Sequence, residues 1–356
     1  MDHVISHTSA LEVMRLKRFP QALSRGQAHN ELPRTAPTTP DVKSWLESFP
    51  MARQLARPIE LLCAETTASK RSALFNVHAT SGDLPAESLV RLNERCSVVS
   101  PELLLVQMAS LATDLELVLL VEELCGLYAL QPATEGGMLQ RKEPLTNIKH
   151  ITSFLDSGRR FRGAQKLRRA LGMAIELSGS PQESKLAPRI SWPRAKGGYH
   201  IEIVSMNRGV EVTEMRRDLA QAKIRKPDIL FRLPSEGIPG LCLDYQGNPH
   251  LQNGRPQEDA ARMNELLAVG LKPFAIWKEQ CESTSYMDAL IDRTIRRELS
   301  LPPVRPPKNR ARLELARREL LLAELDGIDG LSWGVSDKDP LVVNAMERVE
   351  EALAAM

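Results

Sequence analysis

Residues 225–277 read RKPDILFRLPSEGIPGLCLDYQGNPHLQNGRPQEDAARMNELLAVGLKPFAIW, and the fold turns on how this stretch is parsed. Two short apolar runs, 229–233 and 241–245, are punctuated by Pro227, Pro234, Gly237, Gly240 and Gly247. Each reads as a short strand with turn residues at its ends. Asp228 stands at the start of the first strand and Asp244 near the end of the second. Side chains alternate along a strand, so Asp244 and Gln246 share a face, and a turn between the strands brings Asp228 beside them. Residues 257–269 follow as an amphipathic helix, with Ala261, Leu266 and Leu267 apolar, and residues 271–277 as a closing strand.

Two carboxylates converging from neighbouring strands suit a hard divalent cation. Mg²⁺ (or Mn²⁺) takes oxygen ligands, usually one or two carboxylates, with water and phosphate completing its shell. A cation held in this way activates water and offsets the charge that builds on a phosphodiester. The plainer alternative is a pair of strand-end carboxylates facing turns or solvent.

The ordered set Pro227-Asp228, Asp244-Tyr245-Gln246-Gly247, His250, then Asp259 and Arg262 on a helix, then a strand after Gly270, resembles the PD-(D/E)XK nuclease core. More narrowly, it is similar to the small endonuclease-like domains related to the very-short-patch-repair endonuclease. Upstream, Ser180-Pro181-Gln182-Glu183 and the segment from Gly197-Gly198-Tyr199 to Asn207 extend the likeness, which covers residues 140–300. The resemblance implies an α/β, restriction-endonuclease-like fold, a mixed central sheet flanked by helices. It also implies a site in which Asp228, Asp244 and Glu183 bind Mg²⁺ or Mn²⁺. Glu183 has a second reading, as the acid of a capping box reaching back to the Ser180 backbone N–H. Gln246 departs from the family's usual pattern, Lys in the wider superfamily or an acid in the closer relatives, although some nucleases of the superfamily carry Gln there. Gln orients water or hydrogen-bonds phosphate, but supplies neither positive charge nor a general base. His250, the imidazole nearest the strand end in sequence, is a candidate general acid or base or phosphate contact, and otherwise a turn residue.

Outward from this core, basic residues cluster. Arg225 and Lys226 flank Asp228, where cations would hold a scissile strand. Residues 146–174 read as two helices broken near Gly158, and Arg162, Lys166 and Arg169 fall at i, i+4 and i+7, a candidate phosphate-contacting face or a solvated one. Residues 100–130 read as two buried helices starting at Ser100-Pro101-Glu102 and Thr113-Asp114. The patterns VVSPELLLVQMA and ELCGLYAL there resemble the N-terminal half fused to the nuclease-like domain in some bacterial proteins, a half distantly similar to the antitoxins of abortive-infection type IV toxin–antitoxin systems, and the likeness implies regulation or phage defence.

The remaining expectations are coarser. Residues 1–40 read as an irregular segment, 41–135 as a mainly helical N-terminal domain, 140–300 as the endonuclease-like domain, and 301–356 as a proline-rich basic linker with C-terminal helices. Those tail helices offer a surface to the body of the protein or to a second copy, making a homodimer. With 356 residues and a net charge of +2, any nucleic-acid contact must be a local patch. Five scattered cysteines, with no CxxC pair, argue against a zinc ribbon or disulfide framework. No signal pattern or membrane-length apolar run is present, so a cytoplasmic protein that contacts DNA and no membrane is expected. The two readings are a metal-dependent DNA endonuclease, in phage defence or DNA repair, and an antitoxin-like DNA-binding regulator with a silent nuclease core.

Overall fold

The strands at the centre of the quoted stretch form as their alternation dictates. Ile229–Arg232 and Gly240–Gln246 pair antiparallel, with Ile229 opposite Leu243. This computed structural model describes the chain apart from Met1, Gly26, residues 65–70, Gly82, Glu135, and residues 158–159, 217–218 and 248–255. The side chains of 214–216, 219–221 and 256–259 also fall outside the description. Gly240–Gln246 pairs in parallel with Leu271–Trp277, which sets Asp244 beside Ala275 and Gln246 beside Trp277. Parallel neighbours need a crossover, and the helix Pro256–Ala268 supplies it. The two-residue strand Ser205–Met206, paired antiparallel with Ile229–Arg232, completes a four-stranded mixed sheet. Leu271–Trp277 lies at one edge of that sheet, where Pro273, lacking an N–H, is tolerated.

The period of two sorts the faces of this sheet. Ile229, Phe231, Leu241 and Leu243 pack with Leu186 and Ile190 of the helix Pro181–Ser191, and with Met287, Ile291 and Ile295. Leu230 and Cys242 turn the other way, onto Leu266 of the crossover helix. Each fully buried aliphatic side chain contributes roughly 1.5–3 kcal/mol. By the same period Asp228, Asp244 and Gln246 are in step with the second face.

The chain divides into two compact units. The first comprises Met1–Cys125 and Ala129–Gly172, the second Gly126–Tyr128 and Met173–Met356. The division thus falls after Gly172, not between 135 and 140, and the basic stretch around Lys166 belongs to the first unit. That unit is mixed α/β, not mainly helical. Its six-stranded sheet runs in the order Ala28–His29, Leu89–Asn93, Cys96–Val99, His3–Ile5, Ile59–Cys63, Phe75–Ala79. Residues 1–40 are not an irregular segment either, since His3–Ile5 sits inside that sheet and His7–Met14 is helical. The helices Pro101–Met108 and Asp114–Leu124 start where their caps place them. Ser100 Oγ accepts the Leu103 N–H at 3.3 Å. Thr113 and Glu116 cap each other's backbone N–H at 3.2 and 2.8 Å.

In the second unit, residues 197–204 form no strand. Positive φ at Gly197 (85°), His200 (55°) and Asn207 (49°) turns the chain. The strand Val210–Arg216 instead forms a hairpin with Leu219–Arg225, in a register pairing Val210 with Arg225. The tail is not a separate domain. Its helices Lys308–Gly327 and Pro340–Ala354 pack through Leu313, Ala316, Val349 and Ala352. The first also docks against Gly197, where a Cβ would lie 2.4 Å from the Arg317 carbonyl oxygen. Among the described residues, no helix is long and apolar enough to cross a membrane.

Candidate active site

Three acids lie within electrostatic reach of one another at the ends of elements built for other reasons. The helix Pro181–Ser191 begins at Ser180, whose Oγ accepts the Glu183 N–H at 3.2 Å and donates to Glu183 Oε1 at 2.8 Å. Glu183 Oε2 accepts the Gly179 N–H at 2.7 Å and the Asn207 amide at 2.6 Å. The carboxylate therefore reaches back to Gly179, one residue earlier than the capping-box reading predicts. Asn207 carries this network to the sheet: its amide also donates to the Leu177 carbonyl at 2.9 Å, and its backbone N–H to the Asp228 carbonyl at 3.2 Å.

Asp228 and Asp244 face each other across the antiparallel pair. The Asp228 N–H donates to Asp244 Oδ1 at 3.1 Å, and the Tyr245 N–H donates to Asp228 Oδ2 at 2.6 Å. Each carboxylate thus ties down the backbone of the other strand. Arg262, nearly two turns into the crossover helix, places Nη2 3.2 Å from Asp244 Oδ2 and 3.0 Å from the Lys226 carbonyl. Arg262 Nε is buried without an acceptor, and Asp228 Oδ1 has no hydrogen-bond partner among the described residues.

Electrostatically the three acids are short of positive charge. Burial, reinforced by the Glu183 and Asp244 charges, pushes the Asp228 pKa up to about 8. Burial also raises Glu183, with Asp244 adding to it, against the pull of its three donors. Asp244 is raised by burial and held back by Arg262. Buried carboxylates that repel one another are stabilised in their charged form by a cation. Among the described residues no three His, Cys, Asp or Glu side chains are grouped as a ready metal cage. The donor set nevertheless fits a hard cation that needs two carboxylates, Asp228 and Asp244, and takes its other oxygens from water and phosphate. Glu183 would join only by releasing some of its donors.

Other expected site residues are placed differently. Gln246 ends its strand half-buried, in step with Asp244. His250 and the Asp259 side chain lie outside the described residues. Arg225 is bound to Glu265 at 2.5 Å, which makes it a structural ion pair across the hairpin and crossover helix, whereas the Lys226 side chain is exposed. In the first unit, Arg162 precedes the helix Ala164–Leu171, because Gly163 (φ 88°) is its N-cap. The expected i, i+4, i+7 face therefore lacks its first member. Lys166 is occupied by the Ala112 carbonyl and by Asp114 at 3.6 Å, and Arg169 is exposed.

The sequence reading missed Asn207 as the link between Glu183 and the Asp228 strand. It also did not anticipate that the Arg262 guanidinium reaches Asp244. Compared with family models, curated proteins and solved structures, the chain matches none.

Proposed function

We propose that the second unit is a metal-dependent phosphodiesterase of the PD-(D/E)XK nuclease type, acting on DNA in the cytoplasm, in phage defence or DNA repair. Asp228 and Asp244 hold Mg²⁺ or Mn²⁺, and Glu183 completes the acidic set. The observation that carries this reading is the Asp228–Asp244 pair, each carboxylate bound to the backbone of the other strand, with Glu183 near enough to add to the burial that raises Asp228. Buried repulsion of this kind is costly to a fold and is common at functional sites. When bound, the cation would acidify a coordinated water and offset the negative charge developing on the phosphodiester. Gln246 positions water or phosphate through its amide. Arg262, with an unsatisfied buried Nε–H, and Lys226, exposed beside Asp228, donate to the phosphate.

The test is supercoiled plasmid incubated with the full-length protein in Mg²⁺, in Mn²⁺ and in EDTA, beside Asp244→Ala. Metal-dependent nicking that the variant lacks supports the reading, and equal nicking by the variant refutes the site. A second reading draws on Gln246 and on the Arg262 guanidinium that already neutralises Asp244. In it, the core is a silent scaffold of an antitoxin-like DNA-binding regulator. That protein would retard DNA without cutting it, independently of metal and with a steep salt dependence.

A further inference from the structure

Residues 301–306 of the second unit, the proline-rich segment LPPVRP, border a cavity of about 1140 Å³ lined by seven arginines and three acids. The floor is an ion network that uses up those acids. Arg194 pairs with Asp292 and, at 2.9 Å, with Glu314. Arg296 holds Asp292 at 2.8 Å, and Arg318 holds Asp288 at 3.1 Å and Glu314 at 3.5 Å. Four exposed arginines line the same cavity without such compensation. Arg293, Arg305 and Arg312 have no acid partner or hydrogen bond among the described residues. Arg297 has one 3.7 Å contact with Glu298 and a side chain 76% exposed.

Two further features converge there. The helix Lys308–Gly327 begins beside the cavity, with Pro306 and Ala311 in its lining, and has neither a side-chain cap nor an acid in its first turn. Its uncapped N–H groups add a positive end to the arginine field. The opposite wall includes Asp288–Ile295, a wide helical segment of i→i+5 hydrogen bonding, a form that recurs at functional sites. Val304, Leu315 and the neighbouring prolines supply an apolar wall.

We infer that this cavity binds a nucleotide unit, with the rim arginines forking onto its phosphates and the apolar wall against its base. Guanidinium groups match phosphate bidentately, and the volume suits a ligand of nucleotide size. The unit comes from a free nucleoside polyphosphate or from a nucleic-acid strand. The inference stands apart from the carboxylate cluster.

The experiment titrates the full-length protein with ATP without metal, with inorganic tripolyphosphate, and with a short fluorescein-labelled single-stranded DNA. It compares wild type, Arg293→Gln/Arg312→Gln, the double Lys counterpart and Asp228→Asn. Both arginines are exposed and unpartnered, so the Gln variant should melt with wild type. It should bind ATP and tripolyphosphate about tenfold or more weakly, with the Lys variant in between and Asp228→Asn unaltered. Weakened DNA binding, with ATP competing, identifies a strand as the occupant. Unchanged DNA binding identifies a free nucleoside polyphosphate. Absence of ATP and tripolyphosphate binding in wild type, or equal affinity in the Gln variant, overturns the inference. Nicking lost in Asp228→Asn with ATP binding intact separates this site from the proposed nuclease site.

Discussion

Replacing Asp228 with Asn should make the metal-free protein more stable, although the residue stands at the centre of the proposed site. Asn keeps an oxygen for the Tyr245 N–H, which Asp228 accepts at 2.6 Å, and leaves the backbone donation to Asp244 intact. What it removes is a carboxyl whose pKa is pushed from 3.8 to about 8 by burial and by Glu183 and Asp244. A carboxyl raised in this way contributes its stability below its unfolded pKa and loses it as pH rises through the folded value. Taken at face value, the shift amounts to about 6 kcal/mol at high pH. Relaxation, water entry and proton sharing among three acids leave about 1–2 kcal/mol. In a unit of this size that is about 2–8 °C in melting temperature. Three of the four tryptophans, Trp192, Trp277 and Trp333, lie in the second unit, so tryptophan fluorescence reports its unfolding. In EDTA the variant should melt above wild type at about pH 8, and the two should converge near pH 4. Mn²⁺ should then raise wild type more than the variant, because only an intact carboxylate pair gains from the ion. A variant that melts at or below wild type at pH 8, with no convergence in acid, would refute the electrostatic reasoning.

Two further substitutions probe the frame. Arg262→Gln removes the counter-charge 3.2 Å from Asp244 Oδ2. The pair is partly exposed, so the loss should be about 1–2 kcal/mol at about pH 8 and should vanish in acid, where Asp244 is protonated, as a urea titration at each pH would read. Gly197→Ala places a Cβ 2.4 Å from the Arg317 carbonyl at a φ of 85°. It should lower the melting temperature by about 5–10 °C, and an unchanged melt would mean that the Lys308–Gly327 helix does not rest there.

The meeting of Asp228 and Asp244 was legible because period two and the flanking glycines fix strand faces without tertiary knowledge. The caps at Ser100, Thr113 and Ser180 were legible for the same local reason. The sheet of the first unit was not: a strand of three residues, His3–Ile5, shows no period, and its stability comes from neighbours some 55 and 90 residues away in sequence. Leu219–Arg225, sequence LAQAKIR, carries two alanines and two cations, which favour helix as much as strand, and only pairing with Val210–Arg216 decides it. Asn207 reads locally as a turn residue in Asn-Arg-Gly, and nothing nearby announces its bond to Glu183, 24 positions earlier.

The rims of the four-stranded sheet bear on how the protein behaves in a crowded solution. One rim is the strand carrying Pro273, and the other is only the two residues Ser205–Met206. Neither gives a stray chain a long uninterrupted ladder to copy, so the sheet resists growth into aggregates even when concentrated. Self-association through this sheet should therefore stay weak and reverse on dilution, without acquiring cross-β character.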